Sequence, residues 1–174
     1  MKSVLIVAAM LFFSTPVFSQ TSYSGMQIRG IKALSDQQIA DLRAGRGMGL
    51  ALAAELNGYP GPSHVLELAD KLDLTADQQA GVKALFDSMK AEALPLGSKL
   101  IEQESELDQQ FAARIVTPES LAASTASVAI TQGELRETHL KYHLSTAALL
   151  TPEQMKGYAG LRGNAAAPIH HHHN

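Results

Sequence analysis

The chain has 174 residues, with 14 Lys and Arg against 17 Asp and Glu, a formal charge of −3 and no basic run. That balance argues against nucleic acid or an anionic membrane surface as a partner. With no Cys, no Trp and only 5% aromatic residues, neither a disulfide framework nor a sheet-rich core is expected, and abundant Ala, Leu and Gln favour helices in a single domain.

Residues 1–19 read as a secretory signal peptide, with Lys2 ahead of an apolar run at 4–13 and a cleavage point near Ser19. The run is too short to span a bilayer and no later segment is long enough, so the expected location is periplasmic, without membrane insertion after cleavage. Residues 20–34 show no sustained period and read as a flexible arm. Ser35-Asp36-Gln37-Gln38 is a capping box. The helix it opens carries Ile39, Leu42, Leu50, Ala53 and Leu56 on one stripe, interrupted by Gly45-Arg46-Gly47-Met48-Gly49. No strand precedes these glycines and no Lys-Ser or Lys-Thr follows them, so they read as a break or close packing point rather than a phosphate loop.

A turn at Asn57-Gly58-Tyr59-Pro60-Gly61-Pro62 leads into a short helix bearing His64 and Glu67, ended by Asp73. Leu74-Thr75-Ala76-Asp77-Gln78 then opens a long helix whose apolar positions keep a spacing of three or four to about residue 115. The stripe keeps its phase across Pro95, which predicts one continuous helix kinked at that point. Thr117-Pro118-Glu119 opens a second long helix with Leu121, Val128, Leu135, Tyr142 and Leu149 seven apart, a seam for an antiparallel partner. Ile130, Leu140 and Leu144 form a second apolar face, for a homodimer contact or for client chains. A second box, Leu150-Thr151-Pro152-Glu153-Gln154, opens a last short helix closed by Gly163, and residues 164–174, with His170, His171, His172 and His173, read as a disordered tail. Those four His form a weak metal-binding cluster, native or a cloning tag.

Two Leu-Thr-x-x-Gln boxes around a helical hairpin, after a signal peptide in a chain without Cys, resemble the Spy/CpxP family of periplasmic proteins over residues 62–162. Arg136-Glu137-Thr138-His139-Leu140-Lys141-Tyr142-His143 resembles its heavy-metal-sensing branch of ZraP and CnrX type. The resemblance implies an all-α hooked hairpin of four to five helices, usually dimeric, with no catalytic activity. The overall acidity of this chain departs from the positively charged cradle of the family's chaperones.

His139 and His143, four apart on one helix, can turn their rings to one divalent ion such as Zn, Ni, Co or Cu. Leu140 stands where a zinc protease needs Glu, and no organic cofactor or catalytic residue is expected. His64 and Glu67 are the best further ligands, and the metal-sensor resemblance also draws ligands from an N-terminal helix. Against them, a simple hairpin would put His64 roughly 12 Å along the axis from His143. The function expected is metal-responsive, as sensor, buffer or resistance factor. The alternative is an ATP-independent chaperone of the envelope stress response, acting on unfolded clients, and a membrane-bound sensor is a further possible partner.

Overall fold

A computed structural model describes residue 23 and residues 25–163. The expected signal peptide and the His170–His173 tail lie outside the described residues. Within them the chain forms α1 (Asp36–Arg43), α2 (Leu52–Glu55), α3 (Pro62–Glu67), a 3-10 turn (Asp70–Leu72), α4 (Ala76–Ala112), α5 (Pro118–Leu149) and α6 (Pro152–Leu161), with no strand among the described residues. The expected four to five helices become six because the glycine run divides the first. Gly45, Met48 and Gly49 all take positive φ, a conformation no helix can carry through.

The long hairpin is α4 packed along α5. Pro95 sits inside α4, which continues unbroken through it, as the phase of its apolar stripe predicts. Four helix starts are capped by a hydroxyl bonded to the third helical position, with a reciprocal side-chain bond, at Ser35, Thr75, Thr117 and Thr151. Each satisfies two backbone donors that a helix start leaves open.

The two Leu-Thr-x-x-Gln boxes meet. Gln78 Nε2 donates to Gln154 Oε1 at 2.8 Å and to the Leu149 carbonyl at 2.9 Å. Gln154 Nε2 donates to Gln78 Oε1 at 3.0 Å and to the Leu72 carbonyl at 3.2 Å. Each amide oxygen also caps its own helix, accepting from Thr75 N at 3.1 Å or Thr151 N at 2.9 Å. The motif glutamines therefore close their own helix starts and bolt those two starts to each other.

Two apolar clusters hold the body. Val65, Leu72, Leu74, Val82 and Tyr158 pack beneath the paired boxes. Further along, Leu42, Ala93, Leu100 and Leu135 pack with Ile31 and Leu34. Residues 31–34 are thus corrected from the end of a flexible arm to part of the core, since two aliphatic side chains find a place between α4 and α5 that the pattern of the segment did not announce. Asp108 also accepts from the Lys32 backbone N–H at 3.2 Å. Gly97 lets α1 reach α4: a Cβ there would lie 2.5 Å from the Leu42 carbonyl oxygen.

Candidate functional site: a polar cleft centred on Glu55

Glu55, at the end of the four-residue α2, is only 8% exposed. Burying a carboxylate in this way needs partners, and the fold supplies them from three other segments. The Tyr158 hydroxyl donates to Glu55 Oε1 and Arg162 Nε lies 3.4 Å from the same oxygen. His64 Nδ1 stands 3.7 Å from Oε1, and His143 Nδ1 stands 3.7 Å from Oε2. His143 Nδ1 also lies 2.7 Å from the Tyr59 carbonyl, which fixes that nitrogen as the protonated one when the ring is neutral. Burial first, and then the Glu55 hydrogen bond, push the Tyr158 hydroxyl well above its ordinary range, so it stays a donor.

Glycine makes the close approaches possible. A Cβ at Gly61 would fall 2.8 Å from both Cε1 and Nε2 of His143, and one at Gly47 would fall 3.3 Å from His139 Nδ1. His139 is 3% exposed, and desolvation, followed by the neighbouring His143, lowers its pKa, so the ring is neutral at pH 7. Neither His139 Nε2 nor His64 Nδ1 has a hydrogen-bond partner among the described residues, although both atoms are buried. Such groups are uncommon and costly, about 1–3 kcal/mol each.

Glu55, His64, His139, His143 and Arg162 line a cleft of about 620 Å³ between the 45–49 loop, α2, α3 and the facing parts of α4 and α5. All four residues named from the sequence, His64, Glu67, His139 and His143, are on its wall. The expected separation of His64 from His143 is corrected: α3 packs against both α4 and α5 instead of simply retracing α4, so both rings reach Glu55. Glu55 itself was missed by the sequence reading. Its signal was an acid at the end of an apolar stripe, shortly before a Gly-Tyr-Pro-Gly turn.

The donor set suits a borderline transition ion in kind, two or three imidazoles with a carboxylate, and the buried His139 Nε2 has no hydrogen-bond partner among the described residues. In arrangement it is not preformed, since among the described residues no three His, Asp or Glu side chains stand as a metal-holding group. Glu55 is taken by Tyr158 and Arg162, and His143 Nδ1 by Tyr59.

The second apolar face of α5 is open in the single chain: Ile130 is 60% and Leu144 59% exposed, with Leu140 half-buried between them. No helix of the described residues is long and apolar enough to cross a membrane.

Fold and cleft together define an all-helical hairpin protein with a buried acid at the crossing of its short helices. Residues 62–161 match the LTXXQ motif family, and the chain belongs to it, the Spy/CpxP type of non-enzymatic, helical, periplasmic-type protein. Members of that type are chaperones or metal-related. No curated protein and no solved structure matches the chain.

Proposed function

We propose that this protein is a periplasmic metal-responsive factor, binding Zn, Ni, Co or Cu as a sensor, buffer or resistance protein. The observation that carries the reading is the convergence of His64 and His143, from helices far apart in sequence, on one buried carboxylate. His64, His143 and Glu55 would hold the ion, with His139 and Glu67 on the same wall. A divalent ion there would supply a cross-link between α2, α3 and α5. The protein's own part is to keep His139 unprotonated by burial, and His143 would ligate as its Nδ1 gives up its proton and the Tyr59 carbonyl. Glu55 becomes available as Arg162 and Tyr158 yield it.

Calorimetry on the protein with His170 to His173 changed to Ala tests this. Micromolar binding of Zn(II) or Ni(II) that is lost in the His139→Ala, His143→Ala double variant is expected. Binding weaker than millimolar, or unchanged by the double variant, removes the reading.

The exposed Ile130 and Leu144 favour a second reading, an ATP-independent holdase whose α5 face covers unfolded clients or a second copy of the chain. Suppression of client aggregation in metal-free buffer, lost on Ile130→Glu with Leu144→Glu, would support it. Full suppression by that variant would exclude this face.

A further inference from the structure

The two helices of the hairpin are held together differently along their length. In α4 the buried side chains are Val82, Met89, Ala93 and Leu100, and in α5 burial begins only at Thr131 and Leu135. No residue from 101 to 130 is buried. The apolar side chains of that stretch are half-buried, as Leu107 and Val128 are, or exposed, as Phe111, Ile115, Leu121 and Ile130 are. Where this arm begins, the layer between the helices turns polar. Gln110 Nε2 donates to Ser124 Oγ at 3.1 Å and the Tyr142 hydroxyl donates to Glu92, a register that sets Gln103 opposite Thr131. Thr131 is fully buried, yet its hydroxyl has no partner among the described residues, and neither has Oε1 of Gln103 or of Gln110. Elsewhere on α5 the Thr125 and Thr146 hydroxyls return to the carbonyl four residues back, at 2.8 and 2.7 Å. Glu104, half-buried in the same stretch, has its carboxyl pushed above its ordinary range by desolvation. Polar groups closed off without partners oppose the packing that buries them.

Support from outside the hairpin is slight. Ile101 and Val128 pack against the cluster of Ile31 and Leu34 where the arm begins. Further out, Asp108 holds the Lys32 backbone N–H at 3.2 Å and the Lys32 ammonium at 3.5 Å. Those two contacts lie at the surface, where such a pair holds weakly.

We propose that residues 101–131 form an arm that opens as one unit, its helices parting beyond Leu100 and Leu135 while the base of the hairpin stays closed. Parting relieves Gln103 and Thr131 of their unmet hydrogen bonds and gives up few apolar contacts, so it needs far less free energy than unfolding the base. Helical stretches of this length are marginal in water once separated, so the parted arm loses its backbone protection. Opening uncovers Leu107 and Val128, which the closed hairpin keeps half-covered, and the Lys32–Asp108 pair latches the arm shut. The walls of the Glu55 cleft lie outside the arm, so the device does not rest on the metal reading.

Native-state hydrogen exchange of the full chain, read by NMR, tests this. Backbone amides at 103–110 and 121–131 are expected to share one rate, about a hundredfold faster than those at 82–97 and 135–146. Val82→Ala opens a cavity in the base and should speed exchange there about tenfold. It should leave the arm as it was, because the base contacts persist when the arm opens. Gln103→Leu with Thr131→Val replaces the partnerless polar groups by apolar ones of similar size, and should slow exchange of the arm about tenfold. Circular dichroism confirms that the variants fold, and the comparison within the parent chain needs no variant. Equal protection along both long helices overturns the proposal. So does an arm that speeds up with the base in Val82→Ala, or a double variant whose arm exchanges as fast as the parent's or faster.

Discussion

Changing Gln78 to Glu separates two roles that the motif glutamine performs at once. As a cap, Glu at the third helical position is as good as Gln or better, because its oxygen still accepts from Thr75 N and its charge suits the helix start. As a bolt it is worse. The amide Nε2 that donates to Gln154 Oε1 and the Leu149 carbonyl becomes an oxygen facing two acceptors. Two neutral hydrogen bonds at about 0.5–1.5 kcal/mol each are lost, against roughly 0.3–1 kcal/mol regained from the helix dipole. With Gln78 and Gln154 both half-buried, the net loss is about 1–2 kcal/mol, a fall in Tm of roughly 3–8 °C for a domain of this size. Thermal unfolding followed by circular dichroism measures it. The new carboxyl is an acceptor in need of a proton, so its folded pKa is raised. The variant therefore recovers as pH falls through that value and is weakest at neutral pH. An unchanged or higher Tm for Gln78→Glu at pH 7 would show that the glutamine only caps, and would refute the joint between the two boxes.

Three further outcomes follow from the packing. Gly97→Ala raises helix propensity by up to about 1 kcal/mol, yet its Cβ would sit 2.5 Å from the Leu42 carbonyl. It should lower stability and loosen α1, read as faster hydrogen exchange at residues 36–43. Tyr158→Phe leaves the buried Glu55 without its hydroxyl donor and should cost about 1.5–3 kcal/mol in urea unfolding, charged hydrogen bonds being at the strong end. His139 has a folded pKa below 6.5 through burial. The unfolded chain therefore takes a proton first as pH drops below 6.5, and stability declines from there until the folded pKa is passed. An NMR titration should place its midpoint under 6.5, and His139→Asn should flatten that part of the pH–stability curve.

Much of the fold is written in local chemistry. The Thr-headed boxes, the spacing of the α4 and α5 stripes and the left-handed Asp73 and Gly163 all act within a few residues, so periodicity and capping residues find them. The site was legible only in part. His139 and His143 declare themselves by their spacing on one helix, and His64 and Glu67 by their chemistry near the first box. Glu55 does not, because its meaning lies in Tyr158 and Arg162, more than a hundred positions away. The same distance hides the buried Ile31 and Leu34, whose partners Leu100 and Leu135 lie on later helices. Short-range pattern cannot report which distant surface will receive a side chain.

That remoteness sets an order of events during synthesis. α2 has only four residues and no side-chain cap, so it has little tendency to form alone. The buried contact of its Glu55 spans 103 positions to Tyr158. The 44–61 segment therefore settles fully only once the last helix is in place, and a copy truncated ahead of residue 158 would leave that segment open to proteases.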